Sequence, residues 1–302
     1  APARWALVPQ VVPGEALANA MTWNSSGWHI AATIGPALGG GVIWATGHAG
    51  GAFLLAALCS LICAGLVLPV RPILAAIARE PMSLRSLLAG AAFVWRTKLI
   101  LATITLDLFA VLLGGATALL PIFARDILEV GPSGLGWLRA APSLGALVMA
   151  LTMAHRPPLR RAGRALLWSV AGFGLATIVF GFSQNFFLSL AMLALTGAFD
   201  NVSMVVRSTL VQVLPSDAMR GRVSAVNAIF IGSSNQLGAF ESGITAAWFG
   251  PVWSVVGGGI GTLLVVMSVM GIWPEVLRLG RLEAEPGCND EAADLEAARE
   301  PR

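Results

Sequence analysis

Charge is scarce in this chain: Asp, Glu, Lys and Arg make up 12% of its 302 residues, about half the share of an ordinary soluble domain. That excludes a typical water-soluble fold. Cysteine is scarcer still, and the three present form no disulfide framework. Cys59 and Cys63 lie one helical turn apart inside an apolar run, where they read as buried small hydrophobes, and Cys288 sits near the end of the chain. The three histidines, His29, His48 and His155, are too widely scattered to share a metal ion. No metal or other cofactor is expected. The glycine run Gly257-Gly258-Gly259 with Gly261 precedes no lysine and follows no strand, so it reads as close helix packing and not as a phosphate loop. ATP coupling within this chain is therefore not expected.

Apolar sequence fills the space that charge leaves, with hydrophobic residues at 56%. A helix needs about 20 apolar residues to cross a bilayer core. Eight runs reach that length: Gly27–Thr46, Gly50–Val70, Leu99–Ala124, Ser133–Ala154, Gly163–Phe182, Phe186–Val206, Val223–Phe249 and Val252–Trp273. None alternates apolar with polar residues as barrel strands do. The fold class is an all-α membrane protein with eight transmembrane helices. Trp28, Trp44, Trp137, Trp168, Trp248, Trp253 and Trp273 fall near the ends of these runs, as an aromatic belt would place them.

The net charge of +3 and a pI near 9.2 raise the question of nucleic acid. Its distribution answers in favour of lipid. Arg71, Arg79, Arg85, Arg96 and Lys98 lie between spans two and three; Arg156, Arg160, Arg161 and Arg164 between four and five; Arg207, Arg220 and Arg222 between six and seven. The intervening loops carry only His48, then Arg125 with Asp126 and Glu129, then no charge at all. Lys and Arg concentrate in cytoplasmic loops, so both ends of the chain are expected on the cytoplasmic side. Beyond Pro274 an acidic, apolar-poor tail runs from Glu283 to Glu300, expected to be disordered or loosely helical.

Ionisable residues inside spans are costly, at about 2.5–3.5 kcal/mol near mid-bilayer on insertion scales, and mark candidate sites. Asp107 lies about two turns into the third span, Arg139 about two turns into the fourth, Asp200 with Asn201 in the cytoplasmic half of the sixth, and Glu241 in the outer half of the seventh. Desolvation favours the protonated form of a carboxylate and a nearby cation favours the ionised form. Glu241 or Asp107, paired with Arg139, is thus a candidate to carry a coupling proton between two access states. The alternative for each is a fixed ion pair or a helix-capping partner. Asn24, Ser25, Ser26 and His29 in the first span, and Asn227, Ser233, Ser234, Asn235 and Gln236 in the seventh, suit either a central cavity or interhelical hydrogen bonds.

Two features concern organisation. Leu7–Leu17 and Leu210–Met219 both read as an apolar helix end, a proline, a small residue, an acid and a new helix start, with prolines 202 residues apart. Such a period is the mark of duplicated halves. In the first span, Gly35-Pro36-Ala37-Leu38-Gly39-Gly40 interrupts the apolar run with a helix-kinking proline and glycines that permit close approach.

The chain resembles the major facilitator superfamily, whose antiporters carry G-P-x-x-G-G in helix five, and looks closest to the branch of bacterial exporters that includes the enterobactin exporter. The likeness covers roughly residues 5–282. It also rests on Ala118–Leu128 with Gly136–Gly145, on Gln212–Val223 with Asp217, Arg220 and Arg222, and on the amphipathic Leu87–Arg96. It implies that the eight spans are helices five to twelve of twelve, the first four lying outside this sequence. Residues 1–70 would close the N-terminal half, 71–98 form a cytoplasmic inter-half loop, 99–274 form the C-terminal half, and 275–302 the tail. Two departures are clear. The fuller motif places a glycine four residues before Gly35, where this chain has Ala31. The loop after helix eight retains only Arg161-Ala162-Gly163-Arg164, with Arg160 at the acidic position.

The resemblance implies export of a small molecule across the bacterial inner membrane by alternating access, in exchange for protons. The full-length protein is expected to be monomeric, with no nucleic-acid partner. Alternatives are a polytopic membrane enzyme such as a lipid-modifying transferase, whose clustered acids or His–acid pair at a membrane face this sequence lacks, and an inactive fragment.

Overall fold

The computed structural model describes residues 17–68, 84–114, 116–155, 161–215 and 217–280. Among these residues every regular element is a helix. In chain order α1 is Leu17–Thr46, α2 Ala49–Val67, α3 Leu84–Arg96, α4 Lys98–Leu113 and α5 Ala116–Ile122. Then follow α6 Gly131–Ala154, α7 Ala162–Phe182, α8 Phe186–Val213, α9 Asp217–Phe249 and α10 Pro251–Ile272. A π-helical turn, Phe123–Ile127, continues α5, and a 3-10 turn, Pro274–Arg278, follows α10.

Among the described residues, six segments are long and apolar enough to cross a membrane: Ala49–Val67, Lys98–Ile127, Gly131–Met153, Ala162–Phe182, Phe186–Val211 and Pro251–Ile272. The sequence led us to expect eight. The other two candidate spans fall in α1, whose apolar stretch is confined to Ile30–Thr46, and in α9. At 33 residues α9 is the longest helix among the described residues, but Asn227, Ser233, Ser234, Asn235, Gln236 and Glu241 dilute its apolar character. The long third run also differs from expectation. It is divided at Gly114, where α4 ends and a new helix begins at Ala116, so the crossing is made by two helices and a π turn.

Tight connections come from residues suited to them. Asn185 accepts hydrogen bonds from the backbone N–H groups of Phe187 and Leu188 at 2.9 and 3.2 Å, satisfying donors that α8 would otherwise leave orphaned. Gly250 takes a φ of +87°, open to glycine at no steric cost, and Pro251 then starts α10.

Three apolar clusters hold the bundle. One joins α4, α7, α8 and α10 around Leu106, Leu166, Val206 and Val266. A second joins α5, α6, α7, α8 and α10 around Phe123, Leu138 and Phe180, with the Phe123 and Phe180 rings stacked at 4.8 Å. A third seats the amphipathic α3 on α4, α8 and α9 through Val94, Ile100, Val211 and Val223. Lipid offers no hydrophobic drive for helices to associate, so small residues and close backbone contact must supply it. A Cβ on Gly197 would collide with the carbonyl of Pro142, and one on Gly145 with that of Ala194, so α6 and α8 cross backbone to backbone. Gly258 meets the Leu113 carbonyl in the same way and Gly259 meets α7, whereas Gly257 faces open space.

By contrast, α2 is apolar but buries no residue within the chain. Cys59 and Cys63 are accordingly exposed, contrary to the buried role expected for them. The reason is that α2 packs against α1 and presents its remaining circumference outward, as a lipid-facing or partner-facing helix does. Trp44, Trp137, Trp168, Trp248 and Trp253 are likewise exposed, whereas Trp273 packs against the first cluster.

Replacing Gly258 with alanine forces overpacking, which costs about 1–3 kcal/mol, while Gly257→Ala gains helix propensity in open space. Thermal unfolding in detergent should show a lowered midpoint for Gly258→Ala and an unchanged or raised one for Gly257→Ala. Equal effects would contradict the packing described.

Candidate functional site

Near the middle of the bundle, α4, α5, α6, α7, α8 and α9 leave a cavity of about 180 Å³. Its lining follows helical arithmetic, since residues three or four apart share a face. From α8 come Thr196, Gly197 and Asp200, from the α4–α5 crossing Val111, Gly114, Thr117 and Ala118, and from α9 Asn235 and Ala239. Pro142 and Phe173 complete the wall. The break in the third crossing is part of the site: Gly114 lines the cavity, and a Cβ there would meet the Phe173 ring at 2.6 Å.

Behind Val111, Phe173 and Asp200, which line both spaces, a gap of about 10 Å³ leads to Asp107 and Ser203. That is room for about one water. Asp107 in turn pairs with Arg207 of α8, and the two side chains are only 9% and 6% exposed. The register is again regular. Asp200, Ser203 and Arg207 lie on one face of α8, and Asp107 and Val111 on one face of α4. Asp200 itself is exposed to the cavity.

Two expectations are corrected here. Asp107 finds its cation in Arg207, not in Arg139, which is exposed on α6. Arg207 belongs to no loop: α8 continues seven residues past the expected end at Val206, to Val213, and buries the guanidinium. The apolar run stops at Val206 because of the charge, but a charge neutralised within the bundle need not end a helix. The signal was available in the spacing from Asp200 to Arg207.

The other candidates separate. Asn235 lines the cavity, with its amide nitrogen donating to the Ile231 carbonyl at 2.8 Å. Asn201 points elsewhere; it is buried, and its Oδ1 has no hydrogen-bond partner among the described residues, as is also true of Asn227. Glu241 is half-buried in the C-terminal part of α9 and lines neither space. Sequence reasoning passed over Phe173, Thr196, Thr117 and Pro142, which carry no charge to draw notice.

The helix motif of α1 and the loop motifs also take form. Of Gly35, Pro36, Gly39 and Gly40, only Gly40 is in close contact: its Cβ would lie 2.6 Å from the Pro132 carbonyl, while Gly136 of α6 makes the reciprocal approach to the Pro36 carbonyl. Gly35 and Gly39 meet nothing within 4 Å. Thus α1 crosses α6 at a Gly40–Gly136 contact. In Arg161-Ala162-Gly163-Arg164 the glycine is required by the 3-10 turn, because a Cβ would collide with the Val276 carbonyl, and both arginines are exposed. Arg222 is half-buried, its carbonyl lying 2.8 Å from where a Cβ on Gly90 of α3 would be. The side chains of His29, Asp217 and Arg220, the first copy of the Leu7–Leu17 repeat up to residue 16, and the acidic tail lie outside the described residues.

A family model described as transmembrane secretion effector matches residues 1–286. The curated proteins most similar include enterobactin exporters of Shigella boydii, Escherichia coli and Escherichia fergusonii. Each is 28% identical over 291 residues, covering 94% of this chain and 68% of the relative.

Removing one member of a buried ion pair strands the other, a loss of about 3–5 kcal/mol, whereas replacing both by apolar residues is often neutral. Asp107→Leu alone and Arg207→Met alone should each lower thermal stability, and the double variant should recover most of the loss. Additive losses across this double-mutant cycle would show that the two groups do not interact.

Proposed function

The chain belongs to the transmembrane secretion effector family of major facilitator transporters, and on that premise we propose that it exports a small molecule across the bacterial inner membrane by proton-coupled alternating access. Its relatives are named for exporting enterobactin. The observation that carries the reading is the mid-bundle cavity with Asp200 on its wall and the Asp107–Arg207 pair directly behind it. Transporter sites characteristically lie near the bilayer midplane beside interrupted helices, and the break at Gly114 is on this wall.

In this reading α1, α2, the α4–α5 crossing and α6 to α10 all cross the membrane, as the equivalents of helices five to twelve of the twelve-helix fold. Residues 1–70 belong to the N-terminal half, 71–98 to the linking loop and 99–274 to the C-terminal half, with both ends cytoplasmic and the protein working as a monomer. The polar face of α9 is then stabilised by the cavity it lines and not by lipid. Asp107 and Asp200 share one small gap, and two carboxylates in one low-dielectric space do not both ionise readily. A proton taken up between them weakens the hold of Asp107 on Arg207, which frees α4 to shift against α8. Glu241 and Arg139, outside both spaces, serve instead at the outer end of the path.

Efflux measured in exporter-deficient cells carrying the intact gene tests this, with a panel of enterobactin, a cationic dye and a neutral lipophile. At least one compound should be expelled, a protonophore should stop its expulsion, and Asp107→Asn or Asp200→Asn should each remove the coupling while expression at the membrane persists. Efflux that continues undiminished with the protonophore, or in both variants, would overturn proton coupling.

A further inference from the structure

The cavity shows not only where a substrate sits but which charge it carries. We propose that its Asp200 wall receives an organic cation, an ammonium or comparable group, and disfavours an anion. The inference deepens the transport reading above and rests on it.

Asp200 is the one charged side chain on the cavity wall among the described residues. The nearest cation on its own helix, Arg207, is buried against Asp107 and does not reach the wall. Arg139 is exposed elsewhere. Two uncharged polar groups add acceptors beside the carboxylate. Thr196 donates its hydroxyl hydrogen to the Leu193 carbonyl at 2.7 Å, so only oxygen lone pairs are left for the cavity. Asn235 commits one amide hydrogen to the Ile231 carbonyl, which leaves its carbonyl oxygen as an acceptor and its second amide hydrogen as a donor. The one charge on the wall is therefore a carboxylate, joined by acceptor oxygens of Thr196 and Asn235 and by the ring of Phe173. Carboxylate, acceptors and an aromatic ring together form the chemistry that recognises a cation. An anionic group would meet like charge with no cationic side chain on the wall to compensate. With about 180 Å³ available, below the usual range for a whole drug-sized ligand, the site holds the charged end of a substrate.

Two probes of similar size and opposite charge decide the matter: phenyltrimethylammonium and benzenesulfonate. Titrated calorimetrically into the purified intact gene product in nanodiscs, the ammonium should bind at least about tenfold more tightly than the sulfonate, as a charge-assisted contact requires. Asp200→Asn should remove that preference and Asp200→Glu should retain it. Where Asp200→Asn fails to fold, the wild-type ratio and the Asp200→Glu variant decide alone. Equal binding of the two probes, tighter binding of the sulfonate, or an unchanged ratio in Asp200→Asn would overturn the proposal. Export of an anionic compound without ammonium binding would sink this inference and leave the exporter reading standing; ammonium binding with no export of any compound would do the reverse.

Discussion

Hydrocarbon cannot solvate a charge, and the buried pair of Asp107 and Arg207 is this chain's most consequential answer to that constraint. The pair joins the first half of the broken third crossing to α8. The helix α8 runs on past Val206 to Val213 and carries Asp200, Ser203 and Arg207 on a single face, where the ion pair lets Arg207 be buried. Of that face, Asp200 reaches the wall of the cavity and Ser203 the gap behind it.

The second organising element is glycine used as an absence of side chain. Gly145 and Gly197 draw α6 and α8 together until backbones touch, and Gly258 against Leu113 does so for α10 and α4. Gly40 with Gly136 does the same for α1 and α6. Close approach on these sides leaves space on another, where Gly114 interrupts the third crossing opposite Phe173. The cavity is thus the counterpart of tight packing around it, with its polar groups set on rigid helices.

Helix positions were legible because apolar runs and their flanking charges report burial directly: α6, α7 and α10 begin and end within two residues of the expected bounds. The break at Gly114 was hidden, since an uncharged glycine pair inside an apolar run looks like any packing site. Arg207 was misassigned because charge alone was taken to end a span, and Cys59 and Cys63 because an apolar setting was equated with burial inside the chain. Of the ionisable candidates, Asp107, Asp200 and the amide of Asn235 do converge, while Arg139 and Glu241 stand apart. Pairing across helices cannot be read from one sequence, as it depends on which faces meet.

Membership of the transmembrane secretion effector family and a mid-bundle cavity describe one machine only if water reaches that cavity from an aqueous face of the membrane. Cysteine labelling at Thr117, a cavity-lining position, tests this most directly, in intact membranes and in a background without the native cysteines. Thr117→Cys should react with a small membrane-impermeant maleimide, and reaction should slow when a transported compound is present. Leu175→Cys, exposed on the outer surface of α7 and absent from the cavity wall, should stay unreactive. Equal silence at both positions, or equal labelling, would mean that the cavity is not an aqueous path.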